Sequence, residues 1–338
     1  MPVYTGMTVT ISGANLYTGL RMIKQPIPAT INEACTLWRQ GDVVAIPTET
    51  VYGLAADAEQ DIAVSKIFSI KGRPQFNPLI LHVSSLEQLE AYANITPLLI
   101  KAAAAFWPGP LTFVLKRRER TNLSYLVTAG LETVAVRLPA HPIAQALIQS
   151  YGKPLAAPSA NKSNSISPTS AVDVEASLGN QVPLIIDGGA TTVGLESTIV
   201  DLTADIPTIL RPGGVTIEAL SEVLGELSYV SVGASIKAPG MLNRHYAPSI
   251  PMRLNVLDRK RGEAMLGFGK IPCDLNLSEQ GNLQEAAANL FRMMRLLDNP
   301  KYNGIAVAPI PLYGLGVAIN DRLSRAATCV EEEAKNDD

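Results

Sequence analysis

Residues 43–53 read Val43-Val-Ala-Ile46-Pro47-Thr-Glu-Thr50-Val-Tyr-Gly53, and this stretch decides the fold class. Four apolar residues between Asp42 and Pro47 form a short continuous run, which predicts a buried strand over 43–46. The polar turn that follows lies at a strand end, where α/β sheets carry their binding loops. Upstream, 31–40 has helical spacing and stops at Gly41. Downstream, 62–70 repeats apolar side chains at helical spacing and runs into Lys71-Gly-Arg73-Pro74, and 79–83 reads as a strand carrying His82. Ser84-x-x-Glu87 reads as a capping box opening another helix. Thr96-Pro97 starts the next one, with proline where a missing N–H costs least, and Trp107-Pro-Gly-Pro110 cannot continue it.

The alternation continues with strands expected at 111–115, 134–138, 184–187, 197–202 and 208–210, and helices at 141–150, 169–178 and 216–224. Interleaved strands and helices predict an α/β fold. Not every connection has room for a crossover helix, so the sheet should be large and mixed rather than purely parallel. Residues 226–250 hold no long periodic segment. The run Ala238-Pro-Gly-Met-Leu-Asn243-Arg-His-Tyr-Ala-Pro248 has a proline near each end and a glycine, which makes a stiff, non-helical linker. After it, strand 252–257, helix 282–298, strand 304–309 and helix 316–328 predict a second, smaller α/β domain. The expected division is a weakly patterned lead over 1–27, a catalytic domain over 28–225, a linker or lid over 226–250, and a C-terminal domain over 251–338 ending in a frayed acidic tail.

The chain has 338 residues, 47% hydrophobic and 17% charged, which suits two or three packed domains and argues against global disorder. A formal net charge of −3 argues against a protein that coats nucleic acid, though not against a local basic pocket. Cys35, Cys273 and Cys329 are far apart and form no Cys-x-x-Cys pair, so neither a zinc ribbon nor a disulfide framework is supported. No apolar run reaches the ~18–20 residues of a membrane span, and no secretory signal pattern opens the chain. A cytoplasmic enzyme with inert thiols is the expectation.

The common nucleotide and hydrolase motifs are missing. There is no Gly-x4-Gly-Lys-Ser/Thr loop, no complete Gly-x-Gly-x-x-Gly, no His-Glu-x-x-His and no Gly-x-Ser-x-Gly. Five weaker signals remain. Lys71-x-Arg73 is a compact positive corner able to hold phosphate oxygens, although such a pair taken alone is usually a solvated surface. Pro158-Ser-Ala-Asn161, followed by Ser163, Ser165 and Ser167, offers hydroxyls and an amide at a strand end, or simply a polar turn. Gly194-Leu-Glu-Ser-Thr198 suits a small polar substrate, or a capped loop. Arg211 ends a strand. His82 lies inside an apolar strand, where a lone histidine is more often a satisfied core residue than a catalyst.

Their joint order resembles a known family. The run Pro47-Thr-Glu-Thr-Val-Tyr-Gly-Leu54, then Lys71-Gly-Arg-Pro74, Asn77-Pro-Leu79, His82 and Trp107-Pro-Gly-Pro-Leu-Thr112, is similar to the YrdC family. So are Ala135-Val-Arg-Leu-Pro139, Ala157-Pro-Ser-Ala-Asn161, Asp187-Gly-Gly189, Glu196-Ser-Thr-Ile199 and Leu210-Arg-Pro-Gly213. The likeness spans about residues 30–225, and the linker with the α/β tail resembles the longer, two-domain branch. The resemblance implies a YrdC-like twisted mixed sheet with a Rossmann-like C-terminal domain. It implies the reaction of L-threonine, bicarbonate and ATP to threonylcarbamoyl-AMP and pyrophosphate, with Mg²⁺ carried mainly on the ATP phosphates. A downstream tRNA threonylcarbamoyl transferase would use the product at adenosine 37, and direct tRNA binding would be weak or absent.

Carried over by motif, Thr50, His82, Arg137, Ala157 and Ser197 would contact threonine. Lys71, Arg73, Asn77, Thr133, Ser159, Asn161, Ser167 and Arg211 would contact ATP, with Lys71 and Arg73 as the catalytic cations. Relatives commonly carry tyrosine where this linker has Asn243, which leaves an amide to meet the nucleotide. Two other readings are a double-stranded RNA or tRNA-binding module and a carbamoyl-transferring maturation protein. The acidic balance argues against the first, and the missing Cys-x-x-Cys against the second.

Overall fold

The computed structural model describes residues 22–230 and 245–327. Expectations for residues 1–21, for Asn243 and most of the linker, for Cys329 and for the acidic tail lie outside the described residues.

The first domain is built on β1 (Ile23–Lys24), β2 (Val44–Ile46), β3 (Gly53–Asp57), β4 (Ile80–His82), β5 (Leu111–Lys116) and β6 (Thr133–Arg137). It continues with β7 (Leu155–Ala156), β8 (Ile185–Ile186), β9 (Thr198–Asp201), β10 (Thr208–Arg211) and β11 (Ser228–Tyr229). They form one sheet in the order β1-β8-β2-β3-β7-β4-β6-β5-β9-β10-β11, with parallel and antiparallel pairs mixed as expected. The short tight connections of this order could not all be crossovers, which forces the mixture.

Nearly every inward position is aliphatic. Leu54, Leu81, Phe113, Val136 and Val200 join one core cluster, while Trp38, Val44, Ile46, Leu147 and Ile186 form another on the opposite face. The helix at Pro28–Arg39 packs against that second face through Ala34, Cys35 and Trp38, and the Trp38 indole N–H donates to the Ala55 carbonyl at 3.0 Å.

The second domain contains β12 (Met252–Arg253), β13 (Glu263–Gly267), β14 (Leu275–Asn276) and β15 (Gly304–Val307), all parallel in the order β12-β15-β13-β14. Helices Leu283–Leu297 and Leu315–Ala327 cover it. A small, fully parallel sheet with helices matches the Rossmann-like expectation.

Several boundaries differ. The lead was expected to run to residue 27, yet Ile23 and Lys24 pair with Ile185 and Ile186, and Lys24 forms an ion pair with Glu33 at 2.7 Å. Two residues of strand are too short for any periodicity to reveal. The capping box expected at Ser84 is shifted by one: Ser85 caps the helix Leu86–Leu89 by accepting from the Gln88 N–H. β3, β7, β11, β13 and β14 were not foreseen, and the strand expected over 252–257 ends at Arg253. β3 is buried on all five residues and reads Gly-Leu-Ala-Ala-Asp, with no β-branched side chain to mark it.

Candidate active site

Strand register brings the site together. His82 and Arg137 are direct partners across β4 and β6, Leu111 faces Thr198 across β5 and β9, and Arg211 pairs with Ile199. An isolated bridge joins Gly53 to Ser159. One end of the sheet therefore gathers the start of β3, the ends of β4, β6 and β10, the start of β9 and the loop after β7. A cleft there, counted up to its open mouth, holds about 540 Å³. It is lined by Thr48, Thr50, Val51, Gly53, Arg73, Ile80, His82, Arg137, Ala157, Pro158, Ser159, Glu196, Ser197, Arg211, His245 and Tyr246.

All five residues expected at threonine line this cleft. Arg137 is held from three sides: Nε donates to the Gly109 carbonyl at 3.2 Å, Nη1 to Thr50 Oγ1 at 2.8 Å, and Nη2 lies 2.6 Å from Glu49 Oε1. Burial pushes the Glu49 carboxyl up, but Arg137 outweighs it and holds that carboxyl below its ordinary value. His82 is pushed down to about 3, chiefly by burial and then by Arg137, so it is a neutral imidazole at physiological pH. Ser197 Oγ shares a 2.7 Å hydrogen bond with Thr112 Oγ1, and its carbonyl accepts from Arg211 Nη2 at 2.8 Å.

The expected ATP residues divide. Arg73, Ser159 and Arg211 line the cleft. Arg73 is fixed by donating to the carbonyls of Asn77 and Pro78, at 3.2 and 2.9 Å. Burial and the nearby Arg211 lower Arg73 to about 10, and burial lowers Arg211 in turn.

Lys71, Asn77, Asn161 and Ser167 are buried behind the wall rather than on it. The helix Asp61–Lys71 ends on Gly72 in the left-handed conformation, with φ at 62°. This turns the Lys71 ammonium inward, where it donates to the carbonyls of Ser159 and Asn161. Lys71 was expected to face phosphate as a catalytic cation; here it secures the loop that would. Burial, reinforced by Arg73 and Lys162, holds its pKa well below the ordinary lysine value.

Thr133 is not brought to the cleft. It begins β6 opposite Lys116, four residues from Arg137, so about 13 Å away at strand rise, beside Arg117 and Arg118.

Sequence reasoning missed Glu196, His245 and Tyr246 as cleft residues. Each sits inside a motif that had already been quoted, so the signal was present. Glu196 is pushed up by burial but held at about 2 by Arg322 and Arg211, with Ser167 donating to its Oε1 at 2.6 Å. His245 is lowered to about 3, chiefly by burial, with Lys71, Arg73 and Arg211 adding to the effect. Tyr246 stacks on Phe291 with ring centroids 5.4 Å apart. Among the described residues, no group of three or more His, Cys, Asp or Glu side chains is placed to hold a metal ion.

Comparison with known proteins accounts for this arrangement. Residues 36–213 match the family model described as telomere recombination, and residues 215–328 match the model described as the C-terminal domain of threonylcarbamoyl-AMP synthase. This chain belongs to the threonylcarbamoyl-AMP synthase family. It is 42% identical over 312 residues to the enzyme of that name from Pyrococcus abyssi, covering 86% of this chain and 91% of that one. It is 40% identical over 322 residues to the Bacillus subtilis enzyme, covering 88% and 92%. The crystal structure of the Pyrococcus abyssi protein complexed with L-threonine superposes with a TM-score of 0.82 at 40% identity, covering 91% of this chain and 96% of that one. The two-domain mixed α/β fold is thus that of the family, and among the described residues no helix is long and apolar enough to cross a membrane.

Proposed function

We propose that this cleft converts L-threonine, bicarbonate and ATP to threonylcarbamoyl-AMP and pyrophosphate, a nucleotidyl transfer that serves threonylcarbamoyladenosine formation in tRNA. The observation that carries this reading is a pair of arginines, the half-buried Arg73 and the buried Arg211, on the wall of one cleft beside Arg137, each lowered chiefly by desolvation. Desolvated cations clustered in this way destabilise one another, and an anionic ligand relieves that cost. A triphosphate suits Arg73 and Arg211, while a carboxylate suits Arg137, whose fork is already oriented by Glu49 and Thr50. The crystal structure of the Pyrococcus abyssi relative complexed with L-threonine supports threonine as a substrate.

The chemistry needs no covalent enzyme nucleophile. The threonine amine adds to carbon dioxide with loss of a proton, or to bicarbonate with loss of water, and gives the carbamate. A carbamate oxygen then attacks the α-phosphorus of ATP, and the bond to the leaving pyrophosphate breaks. A carbamate is short-lived in water, so a cleft that holds ATP beside it makes capture faster than breakdown. Charge concentrates on the phosphate oxygens as the bond changes, and arginines fixed in advance stabilise it without reorganising. His82, being neutral, can accept or donate a hydrogen bond without adding a cation beside the ammonium of threonine. Mg²⁺ would arrive on the phosphates as part of the substrate, since both carboxylates near the cleft, Glu49 and Glu196, are engaged by Arg137 and Arg322.

Pyrophosphate release from ATP and bicarbonate, with and without threonine, tests the reading. Release should require threonine and should accompany an adenylate carrying the threonylcarbamoyl group. Turnover without threonine would indicate carbamoyl transfer to another acceptor instead.

A further inference from the structure

The second domain reaches into the cleft by a route that the reaction does not itself require. Three loops of the first domain each lend one apolar side chain to the core of the second: Val51, Ile166 and Leu195 pack in one cluster with Phe291, Leu290 and Ile319. Each lies one or two residues from a group expected at a substrate: Thr50 and Ser197, which line the cleft, and Ser167, which is buried just behind its wall. Gly194 seals the seam. A Cβ there would lie 2.5 Å from the Ala287 carbonyl oxygen and from the Ala288 Cα, so only glycine allows the contact.

A buried polar line runs through the same seam. Arg322, on the helix Leu315–Ala327, is fully buried, and its Nε donates to Glu196 Oε2 at 2.8 Å. The other carboxylate oxygen, Oε1, accepts from Ser167 Oγ at 2.6 Å. The Arg322 guanidinium also lies over the Tyr246 ring, 5.2 Å from its centroid. A second arginine, Arg295, donates from Nη2 to the carbonyls of Ile166 and Ser167 at 2.9 and 3.3 Å, and its Nε is 3.1 Å from Asp173 Oδ1.

We propose that Arg322 is a positioning residue: through Glu196 it fixes the Ser167 hydroxyl and the adjoining Ser197 backbone, so the second domain sets the geometry of the substrate loops. Glu196 has one oxygen on each domain, which makes it the joint of the brace rather than a base. The inference rests on the assignment of Ser167 to ATP and Ser197 to threonine. It explains why a domain that contributes no lining residue from its own sheet is nevertheless packed behind the cleft.

The test uses the full-length chain, with thermal melting and steady-state kinetics measured together. Arg322→Met strands the Glu196 carboxylate, so it should lower Tm and raise the ATP KM about tenfold. Arg322→Lys keeps a cation for Glu196 and should bring the ATP KM back to within about threefold of the parent. The double variant Arg322→Met with Glu196→Met removes the stranded charge. Its Tm should recover, because a buried ion pair can be replaced by apolar groups of similar size, while its ATP KM stays raised. Recovery of both Tm and KM in the double variant would make the brace merely structural and overturn the proposal. So would a fall in Tm with unchanged KM in Arg322→Met. Ser167→Ala, run alongside, should raise the ATP KM by itself. If it does not, the ATP assignment falls, and the proposal falls with it.

Discussion

At the scale of single residues, the two members of the Lys71-x-Arg73 pair do different work. Arg73 lines the cleft, and Lys71 holds two backbone carbonyls behind it. Arg73→Ala should therefore cut adenylation by an order of magnitude or more with little change in folding, since a charge-assisted contact to phosphate is worth ~1.5–3 kcal/mol. Lys71→Met should lower Tm as well as rate, because it strands the Asn161 carbonyl, at ~1–3 kcal/mol for a buried unsatisfied group, and leaves the Ser159 carbonyl only the Asn161 N–H. Pyrophosphate release and thermal melts on both variants would separate the two roles, and equal melts would refute the division. Glu49→Gln keeps the size of the side chain but removes the charge that orients Arg137. It should raise the threonine KM severalfold and leave the ATP KM unchanged. A matching rise in both constants would remove Glu49 from the threonine side.

The sequence distinguished these residues unevenly, for physical reasons. Lys71 and Arg73 look alike as a motif, and only the left-handed Gly72 at the helix end turns one inward and leaves the other on the wall. Thr133 was placed with ATP by resemblance; it begins β6, at the opposite end of that strand from Arg137, and is not among the residues that line the cleft. Glu196 was read only as part of a hydroxyl-rich loop. Its role depends on Arg322, 126 positions away, and no local pattern carries that pairing.

At the scale of elements, the legible part was the alternation of strand and helix. Long periodic helices such as Leu283–Leu297 came out within a residue or two, as did strands with β-branched or aromatic residues. The two-residue strands β1, β7, β11 and β14 and the alanine-rich β3 were silent, because they are held by neighbours rather than by their own preference. One close approach matters for the site. A Cβ on Gly213, just after β10, would lie 2.3 Å from the Glu196 carbonyl oxygen and 2.4 Å from the Ser197 carbonyl carbon. Gly213→Ala should therefore push the loop carrying Arg211 away from Ser197. A loss of activity is expected together with a destabilisation of about 1–3 kcal/mol, the usual cost of overpacking. Urea unfolding would measure it, and a neutral midpoint would show that the loop has room to move.

For the molecule as a whole, the buried His82 and the half-buried His245 set the acid limit. His82 and His245 each have a folded value of about 3, against ~6.5 in the unfolded chain. Below pH ~6.5 the unfolded state binds protons that the folded state refuses. Stability present above that value is therefore lost as pH falls toward 3. Glu196, held at about 2, adds to the loss below its ordinary carboxylate range. Tm should decline steadily on acidification from 6.5, and His82→Asn should flatten the decline. A flat Tm between pH 7 and 4.5 would contradict this environment.

The apolar stitching between the domains has a further consequence for how the chain can be divided. A fragment cut near residue 230 would leave Val51, Ile166 and Leu195 bare to water on the rim of its own cleft. Greasy knobs placed beside a polar mouth invite a sister copy to cover them. Light scattering from such a fragment should climb with concentration, while the intact chain stays monodisperse.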